Sequence, residues 1–291
     1  MMSPRLRAAL LMSLGALFLS FVPVFVKLIP ADSGIPTVQK LFMRGLVATV
    51  VTGGILLVRG IGLRPGSPGL LGARALFGIA GMLTYFIAVE GLPLAEAVTI
   101  NKLSPFFVLL LSWIFLGERL GGLQLTAVII GFSGVVVIVR PGAIPLTVPS
   151  ALAILSALFA GSAYTTLRAL RRTDRPLMVV FWFSAAITVL FLPPVLLNGV
   201  VPGTVELLFL LGIGLSGAAG QLFMTSAYRC APGGEVAIYG YLSVIFSVIW
   251  QMLFFGSVPE TAVLAGAGLI LLGGWLNYQG GMKLRERITG M

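Results

Sequence analysis

The sequence contains no histidine, one cysteine and few charged residues, and each shortage excludes a class of protein. The lone thiol, Cys230, has no partner for an intramolecular disulfide. Without histidine the chain lacks the usual general base and the commonest metal ligand, so neither a metal site nor a cofactor nor catalysis is predicted. The nucleotide-binding pattern G-x-x-x-x-G-K-[ST] is also missing, which argues against transport driven directly by ATP.

The shortage of charge indicates a membrane protein. Charged residues make up 10% of the 291 residues, hydrophobic residues make up 58%, and the mean hydropathy is +1.07. Soluble domains contain about 25% charged residues. The net charge of +10 does not indicate nucleic-acid binding, because the 19 basic residues punctuate apolar runs and do not collect on a soluble face.

Apolar windows bounded by charge, glycine or proline predict ten membrane spans of about 20 residues each. The first window, from Ala8 to Ile29, is too long for the apolar region of a cleavable signal peptide. Basic residues concentrate in the loops that share a side with both termini, so both termini are predicted to be cytoplasmic in a multi-pass protein of the cell (inner) membrane. The predicted spans are 8–29, 36–58, 70–90, 94–116, 121–139, 149–168, 176–197, 205–227, 233–255 and 261–280.

The second half of the chain repeats the first. Shifting the sequence by 139 residues aligns the two halves without a gap from the third span to the fifth. Each repeat has five spans, and an odd number makes the second copy enter the membrane from the opposite side. Such inverted-topology repeats are typical of transporters with a central binding site. Matched positions include Gly78 with Gly217, Pro93 with Pro232, Glu96 with Glu235, and Ser104 with Ser243.

Three segments carry a family resemblance: N-K-L-S-P-F-F at 101–107, F-L-G-E-R-L at 115–120 and G-F-S-G at 131–134. With the five-plus-five spans, they resemble EamA-type members of the drug/metabolite transporter superfamily over essentially the whole chain. The second half departs from the pattern, because G-S-V-P at 256–259 replaces G-E-R-L. The resemblance implies an all-α integral membrane protein with repeats at 1–145 and 146–291. It also implies transport of a small metabolite, amino acid or drug through a central cavity.

Few ionisable residues lie inside the predicted spans, where a charge costs about 2.5–3.5 kcal/mol on insertion scales. Lys40 and Arg44 share one face of the second span, and Lys102, beside Asn101, lies in the fourth span. These cations are predicted to lie at one depth, with Lys27 either joining them or reaching the interface. They indicate an anion site, unless Glu90, Glu96 or backbone carbonyls neutralise them and Lys40 reaches outward.

The second repeat does not copy these cations and supplies aromatic and polar residues instead, so an asymmetric cavity is predicted. Glu96 and Glu235 are equivalent acids that follow a proline at a helix start. They are either proton carriers or acids that complement a helix N-terminus. The other candidate substrate contacts are Tyr85, Trp182, Gln221, Tyr239 and Tyr241.

The sequence favours a secondary active transporter of a carboxylate- or phosphate-bearing organic anion that works by alternating access. Export of amino acids or amphiphilic drug-like compounds is the alternative, with the aromatic residues dominating the site. An intramembrane enzyme or an assembly factor is a weaker hypothesis, because acid–base and metal chemistry are poorly supplied. The expected partners are a small-molecule substrate and the lipid bilayer, and the oligomeric state stays open.

Overall fold

The fold is an all-α bundle in which ten helical spans are long and apolar enough to cross a membrane, within the part of the chain that is described. The computed structural model describes residues 4–116, 121–140, 147–170, 173–230 and 233–289. Within these ranges it leaves out the side chains of residues 4, 5, 116, 233–235, 237 and 283–289. The G-E-R-L corner at 117–120 lies outside the described residues.

The helices follow the predicted spans to within a few residues at most ends. A short 3-10 helix, Ala31–Ser33, joins the first two spans. Spans 4 and 9 each consist of two helices, α4 with α5 and α10 with α11. The helices are α1 (Pro4–Leu28), α2 (Thr37–Val58), α3 (Pro68–Gly91), α4 (Leu94–Asn101), α5 (Ser104–Leu116), α6 (Gly122–Val139), α7 (Val148–Leu170), α8 (Pro176–Asn198), α9 (Thr204–Cys230), α10 (Gly233–Gly240), α11 (Leu242–Phe255) and α12 (Thr261–Thr289).

Helix packing follows the internal repeat. Exchanging the two repeats relates α1 to α7, α2 to α8, α3 to α9 and α6 to α12. The α1–α9 contact is then equivalent to the α7–α3 contact, and α2–α9 is equivalent to α8–α3. The α2–α8 and α6–α12 contacts each relate a helix to its own counterpart. These pairings fit the predicted inverted repeat.

Both repeats break the same span at the same place. In span 4 the break falls at Lys102, where the turn ends α4 just before Pro105, a residue that has no N–H to continue the helix. In span 9 the break falls at Tyr241, which the repeat alignment places on Lys102. The position equivalent to Pro105 is Val244, so the second break forms without a proline. Both breaks lie beside the cavities described below.

Spans 5 and 10 approach each other closely at glycines. A Cβ atom built on Gly134 of α6 would lie 2.7 Å from the carbonyl oxygen of Gly266 in α12. Only a residue without a side chain leaves room for this contact. Because lipid removes most of the hydrophobic driving force between helices, close backbone packing of this kind holds membrane helices together.

The second span of each repeat forms hydrogen bonds with a loop of the other repeat. Gln39 of α2 donates from Nε2 to the carbonyl oxygen of Val200 at 2.7 Å and accepts the N–H of Val200 at 2.9 Å. Trp182 of α8 donates from Nε1 to the carbonyl oxygen of Leu63 at 3.1 Å. We call the Gln39–Val200 contact the outer clasp and the Trp182–Leu63 contact the inner clasp. The predicted topology places the two clasps on opposite faces of the membrane.

Asp174, just before α8, reinforces the inner clasp. Its carboxylate accepts hydrogen bonds from the backbone N–H groups of Gly66 at 2.8 Å and Ser67 at 3.1 Å. These groups immediately precede α3, where a carboxylate also interacts favourably with the helix dipole. The start of α3 is thereby held against the start of α8.

Lys27 and Lys40 bind to the C-terminal end of α3, which is predicted to lie on the outer side of the membrane. Lys27 donates from Nζ to the carbonyl oxygen of Leu92 at 2.5 Å, and a cation is favourable at a helix C-terminus. Lys40 forms an ion pair with Glu90, with 2.8 Å between Nζ and Oε1. The hydroxyl of Thr37 donates to the second oxygen of Glu90 at 2.7 Å. Both lysines therefore hold helices together at this end.

Replacing Gly266 by alanine should lower the free energy of unfolding by about 1–3 kcal/mol, the usual cost of overpacking. The new Cβ atom would lie 2.5 Å from the carbonyl oxygen of Gly134. Gly268→Ala on the same helix is the matched control, because a Cβ atom there has nothing within 4 Å. Thermal unfolding of the detergent-solubilised protein measures the difference, and equal midpoints for the two variants would contradict the close approach.

Lys40→Met and Glu90→Gln should each lower the unfolding midpoint, and the double variant should lose less than the sum of the two. Each single substitution leaves the other charge unpaired. We expect a coupling free energy of about 0.5–2 kcal/mol from a double-mutant cycle. The Arg140–Glu260 pair is the control, because its side chains are 40% and 70% exposed and exposed pairs contribute about 0–1 kcal/mol. Additive losses for Lys40 and Glu90 would show that their contact is not stabilising.

Candidate functional site: a cationic cavity

A cavity with a volume of about 120 Å³ lies in the interior of the bundle between helices of both repeats. This is close to the roughly 150 Å³ of an engineered protein cavity that binds benzene, so one small organic group fits. The walls are mostly apolar and aromatic, with Phe86 and Phe183 among them. The polar residues of the lining are Ser20, Arg44, Arg74, Tyr85, Asn101, Lys102, Tyr164, Gln221 and Ser243.

Arg44 enters this cavity from α2. The residue is 6% exposed, one guanidinium nitrogen contacts the sulfur of Met82, and Nε has no hydrogen-bond partner. The side chain passes across Gly217 of α9, where a Cβ atom would lie 2.9 Å from Nε. A glycine is therefore needed in α9 to leave room for Arg44.

Arg74 enters the same cavity from α3. The residue is 3% exposed, and its guanidinium carbon lies 4.1 Å from the centre of the Phe183 ring, which is a cation–π contact. The side chain extends one helical turn along α3 and occupies the space that the missing side chain of Gly78 leaves open. Its Nε and one Nη atom have no hydrogen-bond partner.

Lys102 lies at the break in span 4, beside Asn101. Asn101 donates from Nδ2 to the hydroxyl of Ser156 at 2.8 Å, which ties the end of α4 to α7. Lys102 also lines a second cavity of about 40 Å³, whose lining includes Tyr241. Tyr164 lines both cavities, so the two spaces adjoin.

The larger of these two cavities, which we call the main cavity, carries positive charge that its described lining residues do not compensate. Arg44, Arg74 and Lys102 all line it, and none of its described lining residues is acidic. The described residues form no ion pair with these three side chains. Arg44 and Arg74 carry like charges on one cavity lining, so they repel each other. The arrangement is suited chemically to binding an anion, because guanidinium groups offer paired donors to carboxylate and phosphate oxygens.

The structure brings together five of the residues that sequence reasoning selected, and one of them, Gln221, has an unpartnered Oε1 atom. Tyr241, buried with an unpartnered hydroxyl, lines only the smaller cavity. Trp182 and Tyr239, each 37% exposed, and the ion-paired Lys40 do not line either cavity. The five predicted residues that line the main cavity are Arg44, Tyr85, Asn101, Lys102 and Gln221.

Of the two predicted acids, Glu96 lies apart from the main cavity lining. Glu96 occupies the first turn of α4 and is half-buried, which suits an acid that complements a helix N-terminus. The neighbouring N–H of Ala95 is bound by Gln251 Oε1 at 2.8 Å. The side chain of Glu235 lies outside the described residues. A proton-carrying role for either acid stays a prediction.

Sequence reasoning missed Arg74, Tyr164 and Phe183. Arg74 lies only a few residues inside the predicted span 70–90, so it was indistinguishable from an interfacial arginine. The available signal was the spacing to Gly78 four residues later, which places the glycine on the same helical face and frees a path into the bundle. Tyr164 and Phe183 carry no sequence signal that separates them from other aromatic residues of the core.

Comparisons with known proteins agree with this architecture. The sequence profile of the EamA-like transporter family matches residues 6–140 and 149–279. The Pseudopaline exporter CntI of Pseudomonas aeruginosa is 32% identical over 245 residues, which cover 83% of this chain and 86% of the exporter. A riboflavin transporter of Rhizobium johnstonii is 31% identical over 200 residues, which cover 68% of this chain and 66% of that protein.

The fold also has a counterpart among solved structures. A crystal structure with 24% sequence identity superposes with a TM-score of 0.70 and covers 94% of this chain and 97% of its own. At this identity the likeness concerns the fold alone. The family match spans both repeats, and the relatives are named as transporters, not enzymes. The chain therefore belongs to the EamA-like transporter family and is a multi-pass membrane transporter.

Proposed function

We propose that this protein is a secondary active transporter that moves a small carboxylate- or phosphate-bearing organic anion by alternating access. The observation that carries the proposal is Arg44, a guanidinium group buried inside the bundle with no acidic partner among the described residues. A buried charge without a partner is strongly unfavourable, so it is retained where a ligand supplies the opposite charge.

The repeat supports the proposed transport cycle. The paired helix contacts leave the cavity between two similar five-span halves, an arrangement in which one half can rock against the other around a fixed site. The breaks at Lys102 and Tyr241 place irregular backbone beside the cavities, where it is tolerated because it is shielded from lipid. No nucleotide-binding loop occurs in the sequence, so we expect an ion or solute gradient to drive the cycle.

Amino acids and drug-like compounds are the second candidate substrates, and the rings of Tyr85, Tyr164 and Phe183 favour them. A zwitterion also carries an ammonium group, for which none of the described lining residues offers a carboxylate. The aromatic rings still accept an apolar substrate body. We therefore favour an anion with an organic skeleton over a zwitterion.

Flux into proteoliposomes tests the proposal across a panel of dicarboxylates, phosphate monoesters and amino acids, with pseudopaline and riboflavin included because relatives are named for them. Arg44→Met should reduce flux of the transported anion by about tenfold or more, the effect of losing a hydrogen bond to a charged group. Arg59→Met is the matched control, because Arg59 is exposed just beyond the end of the same helix. Both variants are compared at equal reconstituted protein.

Counterflow tests the alternating-access part separately. Unlabelled anion trapped inside the vesicles should accelerate entry of the labelled anion, because a carrier returns faster when it is loaded. Wild-type flux of every anion through Arg44→Met would overturn the cationic site. Flux without counterflow would overturn alternating access while leaving the site intact.

A further inference from the structure

The cavity holds more unpartnered positive charge than one carboxylate neutralises. The guanidinium groups of Arg44 and Arg74 come from adjacent helices, and neither has an acidic partner among the described residues. Three of their nitrogen atoms make no hydrogen bond: Nε of Arg44, and Nε and Nη1 of Arg74. A buried donor without a partner is destabilising, and more so when it is charged.

Both guanidinium groups are held in place before a ligand arrives. The Phe183 ring covers the face of the Arg74 guanidinium, and the contact between Arg44 and Met82 fixes the second group. Gly78 and Gly217 sit at equivalent positions of the two repeats and leave the space that the two side chains occupy. Because packing fixes the positions of these two like charges on one cavity lining, a bound anion relieves their repulsion.

Lys102 adds a third charge at a different place. It lines the main cavity, but it also borders the smaller cavity, whose lining includes neither arginine. The described residues give its ammonium group no hydrogen bond and no ion pair. A ligand with one anionic group at the arginine pair would leave this ammonium group unmatched.

We infer that the cavity selects substrates with at least two negative charges. Arg44 and Arg74 together bind one carboxylate or phosphate group, and Lys102 binds a second anionic group of the same molecule. This inference rests on the proposed function and deepens it, because it names the charge class of the substrate and adds Arg74 as a binding residue. The simplest ligand with this chemistry is a dicarboxylate, which carries two separate anionic groups.

The test compares ligands that differ by one charge on the same skeleton. The probes are malonate, succinate, glutarate and adipate, each beside its monoamide. Binding to the purified full-length protein is measured in detergent by calorimetry and by the ligand-induced rise in unfolding midpoint. At least one doubly charged probe should bind about tenfold or more tightly than its singly charged partner, the effect of one charge-assisted contact.

Substitutions separate the two anion contacts. Lys102→Met should bring the affinities of the two partners together by weakening only the doubly charged probe. Arg74→Met should weaken both partners about tenfold or more, because both use the arginine pair. Arg74→Lys keeps the charge and should recover part of the affinity for both, which guards against a variant that simply fails to fold. Arg59→Met, exposed and outside the cavity, is the control and should bind like the wild type.

The outcomes distinguish this inference from the proposed function. If singly charged probes bind the wild type as tightly as doubly charged ones, or if a monocarboxylate alone binds, the two-charge inference is wrong and the anion transporter stands. If Arg74→Met and Arg74→Lys both bind like the wild type, Arg74 is not a binding residue. If no anion of either charge binds and none is transported, the inference and the proposed function both fail.

Discussion

Two guanidinium groups, buried among transmembrane helices with no acidic partner among the described residues, are the constraint on which the site depends. A charge in a low-dielectric interior is tolerated only with a compensating charge or a hydrated space. Arg44 and Arg74 line the cavity, where Arg44 contacts the sulfur atom of Met82 and Arg74 contacts the ring of Phe183. Neither contact carries a full negative charge. The protein therefore stores unfavourable electrostatic energy where it encloses space, and a bound anion would release it.

The scaffold around this charge is symmetric, whereas its chemistry is not. The helix pairs, the two span breaks and the glycines at Gly78 and Gly217 repeat from one half to the other. The side chains at the breaks differ: the repeat alignment places Lys102 of the first half at the position of Tyr241 in the second. Duplication thus supplies two similar rigid halves, and divergence places all three cavity cations in the first of them.

The spans could be predicted because they depend on the length of apolar segments. The repeat could be predicted because proline, glutamate and serine recur at a fixed spacing along the chain. The break in span 4 has a marker in the sequence, the missing N–H of Pro105, whereas the break at Tyr241 has none. The site was predicted in part. Lys40 shares a helical face with Arg44, but only the fold brings Glu90 within 2.8 Å of it. Arg74 was missed because its backbone lies near the end of the predicted span 70–90, whereas its side chain extends from there into the cavity.

The two clasps have a consequence for the kinetics of any transport cycle. The outer clasp joins Gln39 to Val200 by two hydrogen bonds, and the inner clasp joins Trp182 to Leu63 by one, with two more from Asp174 beside it. Both clasps are closed in this conformation. Opening the protein toward either side of the membrane therefore requires that a few hydrogen bonds of one clasp be exchanged for hydrogen bonds to water. Such paired latches make the two openings similar in cost, so in the proposed alternating-access cycle the difference in ligand affinity between the two open states would set the direction of the equilibrium.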